Sequence, residues 1–100
     1  MLITNLSFHA QVERLDRCIT LLTELGMNSI IKEQKAKDNR TLRLTDTGIV
    51  LVFKDEQLIT MYLPHLEMLY YIYGSTHLPT SVYYKYKNNT PLRKKLAKLY

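Results

Sequence analysis

One hundred residues with 46% hydrophobic side chains can fill one domain, and they exclude a two-domain chain or a large cofactor fold. The single cysteine, Cys18, excludes an intramolecular disulfide and a cysteine-based zinc site, and it fits a reducing, cytoplasmic setting. The net charge of +5 is uneven: residues 1–74 carry eight basic and nine acidic side chains, whereas residues 75–100 carry six basic and no acidic ones.

The first ten residues lack the basic and apolar regions of a signal peptide, and no apolar run is long enough to span a bilayer, so no membrane role is expected. Residues 8–25 have the periodicity of an amphipathic helix. Phe8, Val12, Leu15, Ile19 and Leu22 form one apolar stripe, Ser7 is the N-cap and Gly26 the left-handed stop. Strands are expected over 28–35, 40–45, 49–53 and 57–63. Lys37-Asp38-Asn39, Asp46-Thr47-Gly48 and Lys54-Asp55-Glu56 join them as short turns, which implies an antiparallel meander. The uninterrupted IVLVF run at 49–53 marks a strand buried on both sides or central in its sheet. In the last strand, strict alternation places Leu58, Thr60 and Tyr62 on one face and Ile59, Met61 and Leu63 on the other.

From Pro64 the pattern turns helical, with Leu66, Leu69 and Tyr73 on one face and Gly74 as the end. Residues 75–81 read as a loop, and 82–87 (VYYKYK) as an edge strand or extended arm. Asn88-Asn89 forms a turn. Thr90 and Pro91 then start a final helix with Leu92, Leu96 and Leu99 along one side. The expected fold is α+β: an N-terminal helix on a three- to four-stranded antiparallel sheet, followed by a C-terminal helical extension. It forms one domain over 1–100, with its core in 1–63 and a tyrosine-rich basic extension in 64–100.

The helix-then-sheet order, His9-Ala10 opening the helix and LITMYLP in the last strand resemble the small bacterial or phage proteins of the barnase–colicin–RelE class over residues 8–63. The resemblance implies metal-independent RNase or toxin chemistry without a cofactor. Arg17, eight residues after His9, fits the class pattern. Glu13 stands where a basic residue is usual, and the chain from Pro64 onward has no counterpart. Metal-free RNA cleavage needs a base, an acid and a cation for the phosphorane. His9 would supply proton transfer, Glu13 would orient it or act as base, and Arg17 would hold phosphate. Thr60 and Tyr62 would position substrate. The competing account makes His9, Glu13 and Arg17 a solvated helix face. His65 and His77 read as surface or capping residues, and no metal-ligand spacing is present.

The tail carries the second constellation. In an extended segment, Tyr84 and Tyr86 share one face and Lys85 and Lys87 the other, with Tyr83 preceding them. Aromatic rings stack on unpaired bases while lysines neutralise phosphates, and Arg93, Lys94 and Lys95 extend the basic surface. Tyrosine and arginine are also enriched in protein interfaces, and Tyr70, Tyr71 and Tyr73 add to that account. Two functions follow: a small RNA-binding protein or RelE-like RNase, and a non-catalytic inhibitor or regulator that binds a host nucleic-acid-processing protein. A homodimer held by the tyrosine surface is the third.

Overall fold

The computed structural model describes residues 15–98. The elements are α1 (Leu15–Glu24), β1 (Ile30–Lys35), β2 (Arg40–Thr45), β3 (Val50–Lys54), β4 (Gln57–Tyr62), α2 (Leu66–Tyr73), α3 (Thr80–Asn88) and α4 (Thr90–Ala97). The fold is α+β, with the four strands forming one sheet in sequence order β1-β2-β3-β4, antiparallel throughout. Two hairpins close through residues at positive φ, Asp38 with Asn39 and Asp55 with Glu56. Paired positive φ is the mark of type I′ turns, whose twist matches that of the strands. None of the described helices is long and apolar enough to cross a membrane.

The sheet is covered on both faces. On one side Ile49, Leu51, Leu58 and Met61 pack with Cys18 and Leu21 of α1 and with Leu96 of α4. On the other, Leu42, Leu44, Val50 and Val52 pack with Leu69 and Ile72 of α2 and Val82 of α3. Alternate residues of β3 thus feed two different cores, as its uninterrupted apolar run requires. Burying each such side chain stabilises the fold by roughly 1.5–3 kcal/mol.

Several local expectations are corrected. The stripe expected through Ile19 and Leu22 is not the buried one, since Ile19 is 53% exposed and Cys18 and Leu21 are buried instead. Cys18, Leu21 and Leu25 have helical spacing too, and they share a core with Leu92 and Leu96 of α4. In β4 the register shifts so that Val52 pairs with Thr60 but Phe53 pairs with Leu58, leaving Ile59 as a bulge. The bulge returns Leu58 to the Met61 side, so strict alternation fails there. β1 begins at Ile30, not 28. Pro64 lies ahead of α2, whose N-cap is His65, while Gly74 ends that helix in the left-handed region as expected.

The largest correction concerns VYYKYK. It is helical, within α3, which starts at Thr80 inside the expected loop. Val82 and Tyr86 stand one turn apart and both pack into the second core. That burial outweighs the β-propensity of the tyrosines. Asn88 ends α3, and Asn89 rather than Thr90 caps α4.

The chain passes from one face of the sheet to the other at Asn89. This buried side chain donates from Nδ2 to the Thr47 carbonyl at 3.2 Å, which ties the α3–α4 elbow to the β2–β3 turn. Gly48 in that turn has φ +94°, and a Cβ there would lie 2.9 Å from Asn89 Nδ2. The buried Thr45 hydroxyl accepts the Ile49 N–H at 3.0 Å, and Thr47 Oγ1 donates to the Gly26 carbonyl at 2.6 Å. Asp46 accepts the Asn28 N–H at 3.0 Å, a bond that holds its carboxyl below the usual carboxylate range. This polar knot fixes where α4, and thus Arg93, stands against the sheet.

Candidate anion-binding cleft

A cleft of about 300 Å3 opens between α1, the end of β4, the start of α2 and α4. Arg17 enters from α1, Arg93 from α4, and Tyr62 and His65 from either side of the β4–α2 connection. Leu63, Leu96 and Ala97 complete the wall, and no acidic side chain lines it among the described residues. Arg17 and Arg93 come from opposite ends of the sequence and from the two constellations expected separately above. The structure brings them to one place.

Arg93 is held in a fixed pose. Its guanidinium carbon lies 4.5 Å from the centre of the Tyr86 ring. Nη2 donates to the Pro64 carbonyl at 2.9 Å and Nη1 to Thr90 Oγ1 at 3.4 Å. Nε is buried and has no acceptor. Among the described residues the ion pairs are Arg43–Glu33 and Lys95–Glu24, so no described carboxylate neutralises Arg93. A half-buried cation without a counter-charge is costly, and a bound anion removes that cost. Tyr62 is half-buried, and burial pushes its phenol up from the usual value, so it remains a hydrogen-bond donor at neutral pH.

The other expected site residues fall out as follows. His9 and Glu13 lie outside the described residues. Tyr83 and Tyr84 are both exposed on α3 and meet edge to face, with ring centroids 6.3 Å apart. Lys87 stands over the Tyr83 ring at 5.4 Å, as one helical turn dictates. Tyr86 is half-buried beneath Arg93 and does not share a face with Tyr84. Lys85 is exposed beside the Gly48 turn. Lys94 is exposed, whereas Lys95 reaches Glu24 at 3.2 Å. Thr60 Oγ1 is buried without a hydrogen bond, on the face it shares with Tyr62. His77 is exposed in the α2–α3 connection.

His65, which the sequence marks as a surface or capping residue, is exposed and lines the cleft. It occupies the N-cap of α2, yet its side chain makes no capping bond. Ser, Thr, Asp and Asn serve that position best, so a histidine after Pro64 is the signal that was present.

No protein-family model, no curated protein and no solved structure matches this chain.

Proposed function

We propose that this protein binds single-stranded RNA, with a phosphate in the Arg17–Arg93 cleft and the exposed cations of α4 along the strand. The guanidinium of Arg93, lodged in a cleft with a second arginine and with no acid among the described residues, carries the reading. Arg suits this role because its planar fork donates to phosphate oxygens in pairs. Lys94 on α4 and Lys98 at its C-cap are exposed, where they would meet backbone phosphates as mobile point charges. Tyr83 and Tyr84 are exposed on α3, and aromatic side chains of this kind stack on unpaired bases. The likeness of residues 8–63 to the barnase–colicin–RelE class points to the same substrate. The proposal is of binding; RelE-like cleavage would draw on His9 and Glu13.

The test is the salt dependence of RNA binding by the full chain, followed by fluorescence anisotropy. For single strands, each phosphate neutralised contributes about 0.7 to the slope of log affinity against log salt. Lys94→Gln with Lys98→Gln is expected to flatten that slope by about 1.4. RNA left uncut in chelator with binding intact describes a binding module; cutting lost in His9→Ala describes an RNase. Absence of binding at low salt sinks the proposal.

A protein partner is the second reading, favoured by the exposure of Tyr71 on α2 together with Tyr83 and Tyr84 on α3. It predicts capture of a host protein that survives nuclease treatment and is lost in Tyr84→Ala.

A further inference from the structure

We infer that the sheet face beside α2 holds a second RNA site, a groove that takes one unpaired nucleobase and seats its phosphate on Arg40 and Lys54. This rests on the RNA-binding reading and adds to it a site that shares only Tyr62 with the Arg17–Arg93 cleft.

The charges come first. Arg40 and Lys54 stand directly opposite each other across β2 and β3. Alternation along the two strands puts them on the face of Leu42 and Val52. Both are exposed, and neither makes an ion pair among the described residues. Like charges directly opposite in a ladder destabilise it. Asp38 of the β1–β2 turn lines the same groove, but Lys37 flanks it, so the rim keeps a net positive charge. A phosphate between Arg40 and Lys54 turns their repulsion into two attractions.

The groove encloses about 800 Å3, within the range of roughly 300 to 1,000 Å3 for ligand sites. The cross-strand row of Leu42, Val52 and Thr60 forms its floor, and Met68 and Tyr71 of α2 wall one side. Tyr71 is pinned there, since its hydroxyl donates to the Lys35 carbonyl at 3.2 Å. In the floor, Thr60 Oγ1 is buried with no hydrogen-bond partner. The polar edge of a ligand removes the cost of that orphaned group.

Thr60 decides between two occupants. An acyl chain with an anionic head suits the cations and the apolar floor but leaves the hydroxyl orphaned. A nucleobase brings flat stacking faces and a polar edge together. The Arg40–Lys54 row lies two residues along the strands from the Leu42–Val52 row, about 6.8 Å at the usual strand rise. That spacing suits a base and its own phosphate. Tyr62, whose phenol remains a donor at neutral pH, lines both groove and cleft, which lets one strand reach both.

The experiment measures, by anisotropy on the full chain, the affinity of a ten-nucleotide RNA and of an equally long strand that carries abasic sites throughout. Thr60→Val keeps the side-chain shape and removes the hydroxyl, and Lys54→Glu sets an opposite charge across from Arg40. Both variants are expected to hold or raise the thermal midpoint, since one removes an orphaned group and the other a like-charge pair. The base-bearing strand is expected to bind the unmodified protein about tenfold more tightly than the abasic one. Thr60→Val is expected to reduce that ratio about threefold. Lys54→Glu is expected to weaken both strands and to flatten the slope of log affinity against log salt by about 0.7 or more. A ratio that Thr60→Val leaves unchanged overturns the base pocket, and a slope that Lys54→Glu leaves unchanged overturns the phosphate seat. Either result leaves RNA binding at the cleft standing. Competition by decanoate, with no advantage for the base-bearing strand, names an acyl chain as the occupant and overturns the base. No binding of either strand at low salt overturns both readings.

Discussion

Two arginines in this protein share a pose but not a counter-charge. Arg43 lies 4.5 Å from the centre of the Phe53 ring, and Arg93 lies 4.5 Å from the centre of the Tyr86 ring. Arg43 is then closed off by Glu33, whose carboxylate accepts from Nε at 2.7 Å. Among the described residues Arg93 meets only neutral acceptors, the Pro64 carbonyl and the Thr90 hydroxyl. Stacking on an aromatic ring therefore says little about purpose, since it serves a cross-strand ion pair in one place and a half-buried uncompensated cation in the other. The missing carboxylate makes the difference, and it leaves the positive potential of Arg93 directed at the cleft it shares with Arg17.

The strongest way to break the comparison is to remove each arginine. Arg93→Met leaves the Pro64 carbonyl without its donor, so a loss of about 1–3 kcal/mol is expected in urea unfolding. RNA affinity should fall at least tenfold under conditions where the variant is folded. Arg43→Met removes only a surface pair and its stacking. It is expected to cost about 1 kcal/mol and to leave RNA affinity within twofold.

Moving the elbow that carries Arg93 comes next. Gly48→Ala forces a side chain into positive φ and within 2.9 Å of Asn89 Nδ2. A loss of about 2 kcal/mol is expected by thermal unfolding, from backbone strain and a damaged Asn89–Thr47 hydrogen bond.

Giving Arg93 the partner it lacks is gentler on the fold. Ala97 lines the cleft one turn beyond Arg93 and is exposed, so Ala97→Glu places a carboxylate at helical i, i+4 spacing. Stability should change by less than about 0.5 kcal/mol, while RNA affinity falls about tenfold. The smallest effect is pH dependence at Arg43. The hydrogen bond from Arg43 holds the Glu33 carboxyl below its ordinary value. A depressed folded-state value stabilises the protein above the unfolded pKa of about 4.3 and is lost as pH falls through the folded value. Glu33→Gln should remove that small contribution, seen as a shallower decline of thermal midpoint between pH 5 and pH 3, about.

Much of this fold was legible because its signals were local. Asp38-Asn39 and Asp55-Glu56 declared hairpins, IVLVF declared a strand buried on both sides or central in its sheet, and Gly74 declared a helix end. What escaped was decided by contacts far apart in sequence. The choice between the Ile19–Leu22 and Cys18–Leu21 stripes of α1 depends on Leu92 and Leu96, over seventy residues away. The helical state of VYYKYK depends on a sheet face for Val82 and Tyr86. The Ile59 bulge leaves no mark in an alternating pattern. The cleft is the extreme case. Arg17 and Arg93 were each named as phosphate ligands, but for unrelated sites, and only the packing of α1 and α4 against one face joins them.

The central claim is that Arg93 meets an anion and Arg43 does not. The most direct measurement follows the side-chain Nε–H resonances of both arginines by NMR while a short single-stranded RNA is added to the 15N-labelled protein. The account predicts that the Arg93 resonance, with that of Arg17, shifts progressively to saturation, and that Arg43, held by Glu33, stays where it began. Equal shifts at Arg43 and Arg93, or a saturated complex in which neither Arg17 nor Arg93 moves, would contradict it.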